Sequence, residues 1–209
     1  MASPDRRPIA SRQTPWAQSV ARALVRSSVT PNQISVASVL FAAIGFWLLF
    51  TIPHTWGLIA VAVCVQLRLL CNLFDGMVAV EGGKHTATGA LYNEFPDRIA
   101  DTFLIVGLGY AAFSPTLGWM AALLAAFTAY IRQTGAGLGF AHDFQGPMAK
   151  QQRMFVLTLG CVLGAVESWM YGTRHTLMIG LGVIAVGSAL TCVTRTSKLS
   201  SLLKEKAHG

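Results

Sequence analysis

Asn93, Asp97 and Asp101 recur at every fourth position, a spacing that stacks their side-chain oxygens on one face of a helix over successive turns. Asn72 and Asp75, three residues apart on an earlier segment, share a face in the same way. The stretch from Asn72 to Asp101, NLFDGMVAVEGGKHTATGALYNEFPDRIAD, holds five of the chain's nine carboxylates and lies between long apolar runs. Acids bordering a membrane interior are costly unless they bind something, so their concentration here marks a polar site at one membrane face. Two helices joined by a Gly-rich loop can turn the two ladders toward each other. Hard oxygen donors at such a focus suit Mg²⁺, Mn²⁺ or Ca²⁺ better than zinc, which favours nitrogen and sulfur.

The elements that must position these residues are apolar helices. The chain has 209 residues, of which only 12% are charged, and its mean hydropathy is +0.52. Those values and several nearly uncharged runs of spanning length exclude an ordinary soluble domain. The formal charge of +7 is then explained by a membrane surface before a nucleic acid, because the basic segments are short and lack interleaved aromatics. No nucleic-acid partner is expected. Cys64, Cys71, Cys161 and Cys192 fall in or at the ends of apolar spans without any C-x-x-C pair, as small buried hydrophobes.

In chain order, residues 1–14 read as a disordered polar tail. Residues 15–28 place Trp16, Ala17, Val20, Ala23 and Leu24 on one helical face and Gln18, Arg22 and Arg26 on the other, the pattern of a helix lying in the headgroup plane among membrane lipids. Thr30 and Pro31 supply a cap and a first helical position. Spans follow over Ile34–Ile52, Trp56–Cys71 (running on into the Asn72–Val80 segment), Gly89–Phe113, Leu117–Ile131, Met154–Tyr171 and Thr176–Val193, with a basic cytoplasmic tail over 195–209. The expected fold class is all-α: a polytopic membrane protein with six transmembrane helices and an N-terminal interfacial amphipathic helix, forming one domain over 15–194. Arg68, one turn before Asn72, either snorkels to the interface or faces the polar site. Glu167 and Arg174 are expected to pair at the opposite interface, and His85 and His142 to be plain loop residues.

The signature around the site resembles that of the CDP-alcohol phosphotransferases, D-x-x-D-G-x-x-A-R-x8-G-x3-D-x3-D. Asp75, Gly76, Ala79, Gly89 and Asp97 stand at their motif positions with the spacing intact, whereas Asn72, Val80 and Asn93 replace an acid, an arginine and an acid. The TPN sequence at the start of the first span is also similar to the family. The resemblance implies an integral membrane enzyme that transfers a phosphatidyl-type group from a CDP-linked lipid to a small polar alcohol with release of CMP. It implies a divalent cofactor, Mg²⁺ or Mn²⁺ in one or two copies, and a homodimer. Position by position, Asn72, Asp75, Asn93, Asp97 and Asp101 become metal-site residues. Asp97 becomes the base, with Asp101 as the other catalytic candidate through a shifted D-x3-D register. Gly76, Ala79 and Gly89 would admit the nucleotide, although helix packing also selects small residues. Arg132, Lys150 and Arg153 would meet phosphate or the acceptor, although positive-inside topology alone places cations there. For Asp75 and Asp97 a purely structural ion-pair role is the lesser reading; for Asp101 the two are balanced.

The departures keep a second reading open, a degenerate family member that binds or regulates without turnover. A transporter is disfavoured, because the polar residues cluster at one face instead of tracing a path across the membrane.

Lysines and arginines number five in the leader and four in the tail, while 51–57 and 113–118 have none. By the positive-inside rule both termini and the acidic site face the cytoplasm, beneath the inner membrane in a bacterium. A cysteine introduced at Lys84 should therefore react only from the cytoplasmic side, and one at Thr55 or Pro115 only from outside. Labelling of Lys84→Cys in intact cells by an impermeant maleimide would overturn that placement.

Overall fold

The computed structural model describes residues 10–84 and 86–208, so residues 1–9 of the expected disordered tail, His85 and the final residue lie outside it. Ala10–Gln13 forms one 3-10 turn. Seven α-helices follow: α1 (Pro15–Arg26), α2 (Pro31–Thr51), α3 (Thr55–Glu81), α4 (Gly89–Ala111), α5 (Pro115–Gly137), α6 (Lys150–Tyr171) and α7 (His175–His208). No strand occurs among the described residues.

Local chemistry accounts for the boundaries. Thr30 accepts from the Gln33 amide at 3.3 Å and the Gln33 side chain accepts from the Thr30 amide at 3.0 Å, a capping box that starts α2 ahead of Pro31. Pro115 opens α5 in the same position. Gly172, at φ +69°, closes α6 in the left-handed conformation that glycine adopts without a steric penalty. The expected Glu167–Arg174 pair does not form. Glu167 instead accepts from the amides of His175 at 2.7 Å and Thr176 at 2.8 Å, because a carboxylate next to a helix start meets unsatisfied amides at the positive end of the dipole. Arg174 donates to the Pro53 carbonyl at 3.1 Å and lies over the Phe113 ring at 4.5 Å.

Two helices run farther than the hydropathy pattern implies. The fifth helix continues through the Gly-rich segment to Gly137, where Gly135 packs toward Leu199. The basic segment after Arg195, expected as a separate tail, continues α7 to His208 without a break.

α2 packs on α3 and α4, α4 on α5, α3 on α6, and α5 and α6 both on α7. Six helices thus close a ring in the order α2, α3, α6, α7, α5, α4. The main core, with Leu49, Leu58, Leu104, Ile105, Leu108, Leu157, Leu177 and Leu181, fills it. A second cluster joins Ala17 and Ala21 of α1 to Ile34, Leu73, Phe74, Met77 and Val78, with Trp16 edge-on to Phe74. The outward faces are also apolar, with Val36, Leu40, Trp47, Phe50, Leu123, Phe127, Leu163, Val186 and Val193 exposed. A helix apolar on both faces belongs in lipid. Four helices, α2, α3, α6 and α7, are long and apolar enough to cross a membrane. α4 and α5, at 23 residues each, have the length, but α4 carries Glu94, Asp97, Arg98 and Asp101 between its second turn and its middle.

α4 and α5 approach closely where a methyl added at Gly109 would come within 2.6 Å of the Gly118 Cα. Backbone cannot yield as a flexible side chain does, and small residues are what permit such approaches in lipid. Gly118→Val should therefore destabilise the detergent-solubilised protein by about 1–3 kcal/mol, seen as a lower melting temperature. An unchanged melting curve would contradict the packing.

Candidate functional site

The polar residues of α2, α3, α4 and the α6 start converge on one cavity of about 720 Å³. It is lined by Asn72, Asp75, Gly76 and Ala79 of α3, Gly89, Asn93 and Asp97 of α4, and Arg132, Lys150 and Arg153. α3 places the first group at its far end: 27 residues at 1.5 Å rise reach about 40 Å, beyond a hydrocarbon core of about 30 Å. The α3–α4 loop returns the chain at once, with Gly83 at φ +62° and the Lys84 ammonium held by the Ser27 carbonyl at 2.7 Å.

Asp75 is buried and accepts from the Ser35 hydroxyl at 2.7 Å. Ser35 in turn sits over the Pro31 carbonyl, so the capped start of α2 orients an α3 carboxylate. Asp97, its side chain 13% exposed, is the most heavily engaged group. Its Oδ1 accepts from the Asn72 side-chain amide at 2.9 Å and lies 3.5 Å from Arg68. Its Oδ2 meets the Lys150 ammonium, with Arg98 at 3.8 Å. Asn72 therefore acts toward Asp97 as a donor, something an acid at that position could not do unless protonated. Asn93 is exposed at the rim.

Asp101 does not line the cavity. It is 3% exposed, and its two oxygens accept from Arg68 at 2.6 Å and Arg153 at 2.9 Å. Both arginines are themselves buried. Arg68 thus faces the polar region instead of snorkelling. Arg153 is further tied to the Met148 carbonyl at 2.9 Å and Thr128 at 3.3 Å, and Arg132 grips Glu94 with contacts of 2.6 and 2.8 Å.

Several members of this arrangement carry no signal in the sequence. Ser35 is one serine in an apolar helix, and only the fold brings it to Asp75. Arg195, read as the first residue of a tail, lines the cavity and donates to the Gln145 carbonyl at 2.8 Å and the Thr128 carbonyl at 2.5 Å. Its burial and the continuation of α7 past it appear only in the folded chain.

Among the described residues no three His, Cys, Asp or Glu side chains gather closely enough to ligate an ion. The donors at the cavity are the carboxylates of Asp75 and Asp97 and the amides of Asn72 and Asn93, a set of oxygens that fits a hard divalent cation and no softer metal. Around them the cations Arg98, Arg132, Lys150 and Arg153 make the cavity receptive to an anion.

Comparison with known proteins gives a consistent result. The sequence model described as CDP-alcohol phosphatidyltransferase matches residues 28–193. A phosphatidylinositol phosphate synthase of Mycolicibacterium smegmatis is 30% identical over 184 residues, covering 84% of this chain and 80% of that one. The crystal structure of Mycobacterium tuberculosis phosphatidylinositol phosphate synthase with CDP-DAG bound superposes with a TM-score of 0.72 at 24% identity, over 88% of this chain and 92% of that one. The same enzyme in complex with manganese and citrate superposes equally well, with a TM-score of 0.72 and 24% identity over 88% of each chain.

The geometry separates the two aspartates one turn apart. Asp101→Asn removes the carboxylate shared by two buried guanidinium groups and should cost about 3–5 kcal/mol of stability, the usual penalty for breaking a buried ion pair from one side. Asp97→Asn, at the cavity wall, should melt much closer to wild type. Thermal melts of the two variants in the same detergent check this, and a reversed order would refute the assignment.

Proposed function

The chain belongs to the CDP-alcohol phosphatidyltransferase family, and we propose that it transfers the phosphatidyl group of CDP-diacylglycerol to a small polar alcohol, releasing CMP. The observation that carries this reading is the convergence on one cavity of Asp75, Asp97 and the small motif residues with a wall of cations. In the reaction the alcohol oxygen attacks the phosphorus on the lipid side of the pyrophosphate. The bond from that phosphorus to the CMP oxygen breaks, and the hydroxyl proton passes to Asp97, the carboxylate at the cavity wall. A divalent ion, when bound by Asp75 and its neighbours, supplies positive charge against the pyrophosphate. Gly76 and Ala79, without bulk on the cavity side of α3, leave space for the nucleotide. Arg132 and Arg153, already braced by Glu94 and Asp101, present fixed positive charge toward the acceptor.

Six membrane spans, α2 to α7, fit this assignment. α4 enters the bilayer with its apolar second half after its charged first turns face the site, and α1 lies at the interface with Trp16 and Val20 toward lipid. The site opens to the cytoplasm, where the basic connections lie. A homodimer and soluble acceptors complete the reading. Manganese in one crystal structure of the Mycobacterium tuberculosis enzyme and CDP-DAG in the other support the choice of ion and donor for a first assay, and the name of the relative makes an inositol phosphate the first acceptor to try.

Asn72, Val80 and Asn93 favour one competing reading, a member that binds the nucleotide without turnover. Purified protein with Mn²⁺, CDP-diacylglycerol and a panel of inositol phosphate, glycerol phosphate, inositol and serine should release CMP with at least one acceptor. Asp97→Asn should lower that rate by roughly 10²-fold or more. Binding of CDP-diacylglycerol without CMP release under any acceptor would select the competing reading.

A further inference from the structure

Of the four motif positions that would carry acids for a two-ion centre, only Asp75 and Asp97 are carboxylates; Asn72 and Asn93 are neutral. Two divalent ions would bring four positive charges to two negative ones. Asp101 does not make up the difference, because Arg68 and Arg153 take both of its oxygens and it lies outside the cavity. Glu94 is likewise taken by Arg132 and Arg98. The cavity wall in fact carries three carboxylates, Asp75, Glu94 and Asp97, against seven arginine and lysine side chains. That balance already attracts a pyrophosphate.

The distribution of donors around Asp97 is more specific. Hydrogen-bearing nitrogens reach both of its oxygens: the Asn72 amide at Oδ1 and the Lys150 ammonium at Oδ2, with Arg68 behind. A metal ion at Asp97 would have to share those oxygens with both donors, against the repulsion of the ammonium. Among the described residues Asp75 has a single side-chain hydrogen-bond partner, the Ser35 hydroxyl, which is compatible with an ion on the carboxylate. Lys150 is also the first residue of α6, whose N-terminus has no side-chain cap and no acid in its first turn. Unsatisfied amides and the ammonium therefore add at the same wall.

We propose that the site holds one divalent ion, at Asp75, and that the Lys150 ammonium takes the part of a second ion, neutralising Asp97 and meeting the pyrophosphate. The inference rests on the proposed reaction for the pyrophosphate contact, but the ion count stands apart from it. Asn72 belongs to the same exchange: where an acid beside Asp97 would need an ion between them, the amide closes the gap with a hydrogen bond.

The test counts Mn²⁺ bound per chain by EPR titration of the purified protein in detergent. Wild type should bind one ion, with the spectrum of an isolated Mn²⁺. Lys150→Met should keep that count but tighten the Mn²⁺ dissociation constant on the order of tenfold, because a like charge has left the neighbourhood. The triple variant Asn72→Asp, Asn93→Asp, Lys150→Met should bind two ions with an exchange-coupled spectrum. Two ions in wild type, none, or a Lys150→Met affinity that is unchanged or weaker would each overturn the proposal, and the wild-type count does so even if the triple variant fails to fold. Wild type that releases CMP while holding two ions would sink this inference and leave the reaction standing; one ion without CMP release would do the reverse.

Discussion

The structure depends on Asp101 standing between two buried arginines. Arg68 comes from α3 and Arg153 from α6, both shielded from solvent, and Asp101 of α4 binds the pair at 2.6 and 2.9 Å. One carboxylate thereby ties three helices of the six-helix ring at the floor of the cavity. Such a group stabilises only when every charge has its partner, since an unpaired ion in a low-dielectric interior costs several kcal/mol. Two cations on one anion leave an excess positive charge. Asp97, at 3.5 Å from Arg68, lies where that excess is felt, so the floor of the site and its reactive wall form one electrostatic unit.

That unit sets what the wall can do. Asp97 is surrounded by donors from three directions and is thus fixed in orientation, which is what a group must be to receive a proton at a defined point. Asp75, by contrast, answers to the start of α2 through Ser35. The two carboxylates are therefore held by different helices and different chemistry, one by cations and one by a neutral hydroxyl. A substitution in α2 reaches Asp75 without passing through Asp97.

Much of this was legible because it is local. The Thr30-Pro31 cap, the turn at Pro115, the four-residue spacing of Asn93, Asp97 and Asp101, and the position of Arg68 one turn ahead of Asn72 are all short-range facts, and helix periodicity converts them into shared faces. The divergence of Asp97 and Asp101 was not legible. Periodicity puts both on one face, but depth decides which meets the cavity and which meets arginines, and depth is set by helices distant in sequence. The pairing of Glu94 with Arg132, the hydroxyl of Ser35 and the inward turn of Arg195 have the same origin. The end of α7 differs from the expectation for another reason: hydropathy changes at Arg195, but no residue after it breaks a helix, and α7 runs on to His208.

The arginine pair also bears on how the chain is made. Arg68 lies inside a helix long and apolar enough to cross a membrane, where a lone arginine at the centre costs about 2.5–3.5 kcal/mol on insertion scales. Its anion, Asp101, is 33 residues downstream, and at synthesis rates of about 5–20 residues per second it emerges some 2–7 seconds later. Arg153 follows Asp101 by a further 52 residues. The first hairpin is therefore made before the acid that neutralises its cation, α4 follows with that acid, and α6 brings the second cation last. The order of translation is the order in which the charges can be buried, so a permutation that placed α6 before α4 would set two arginines in the membrane with no acid to meet them.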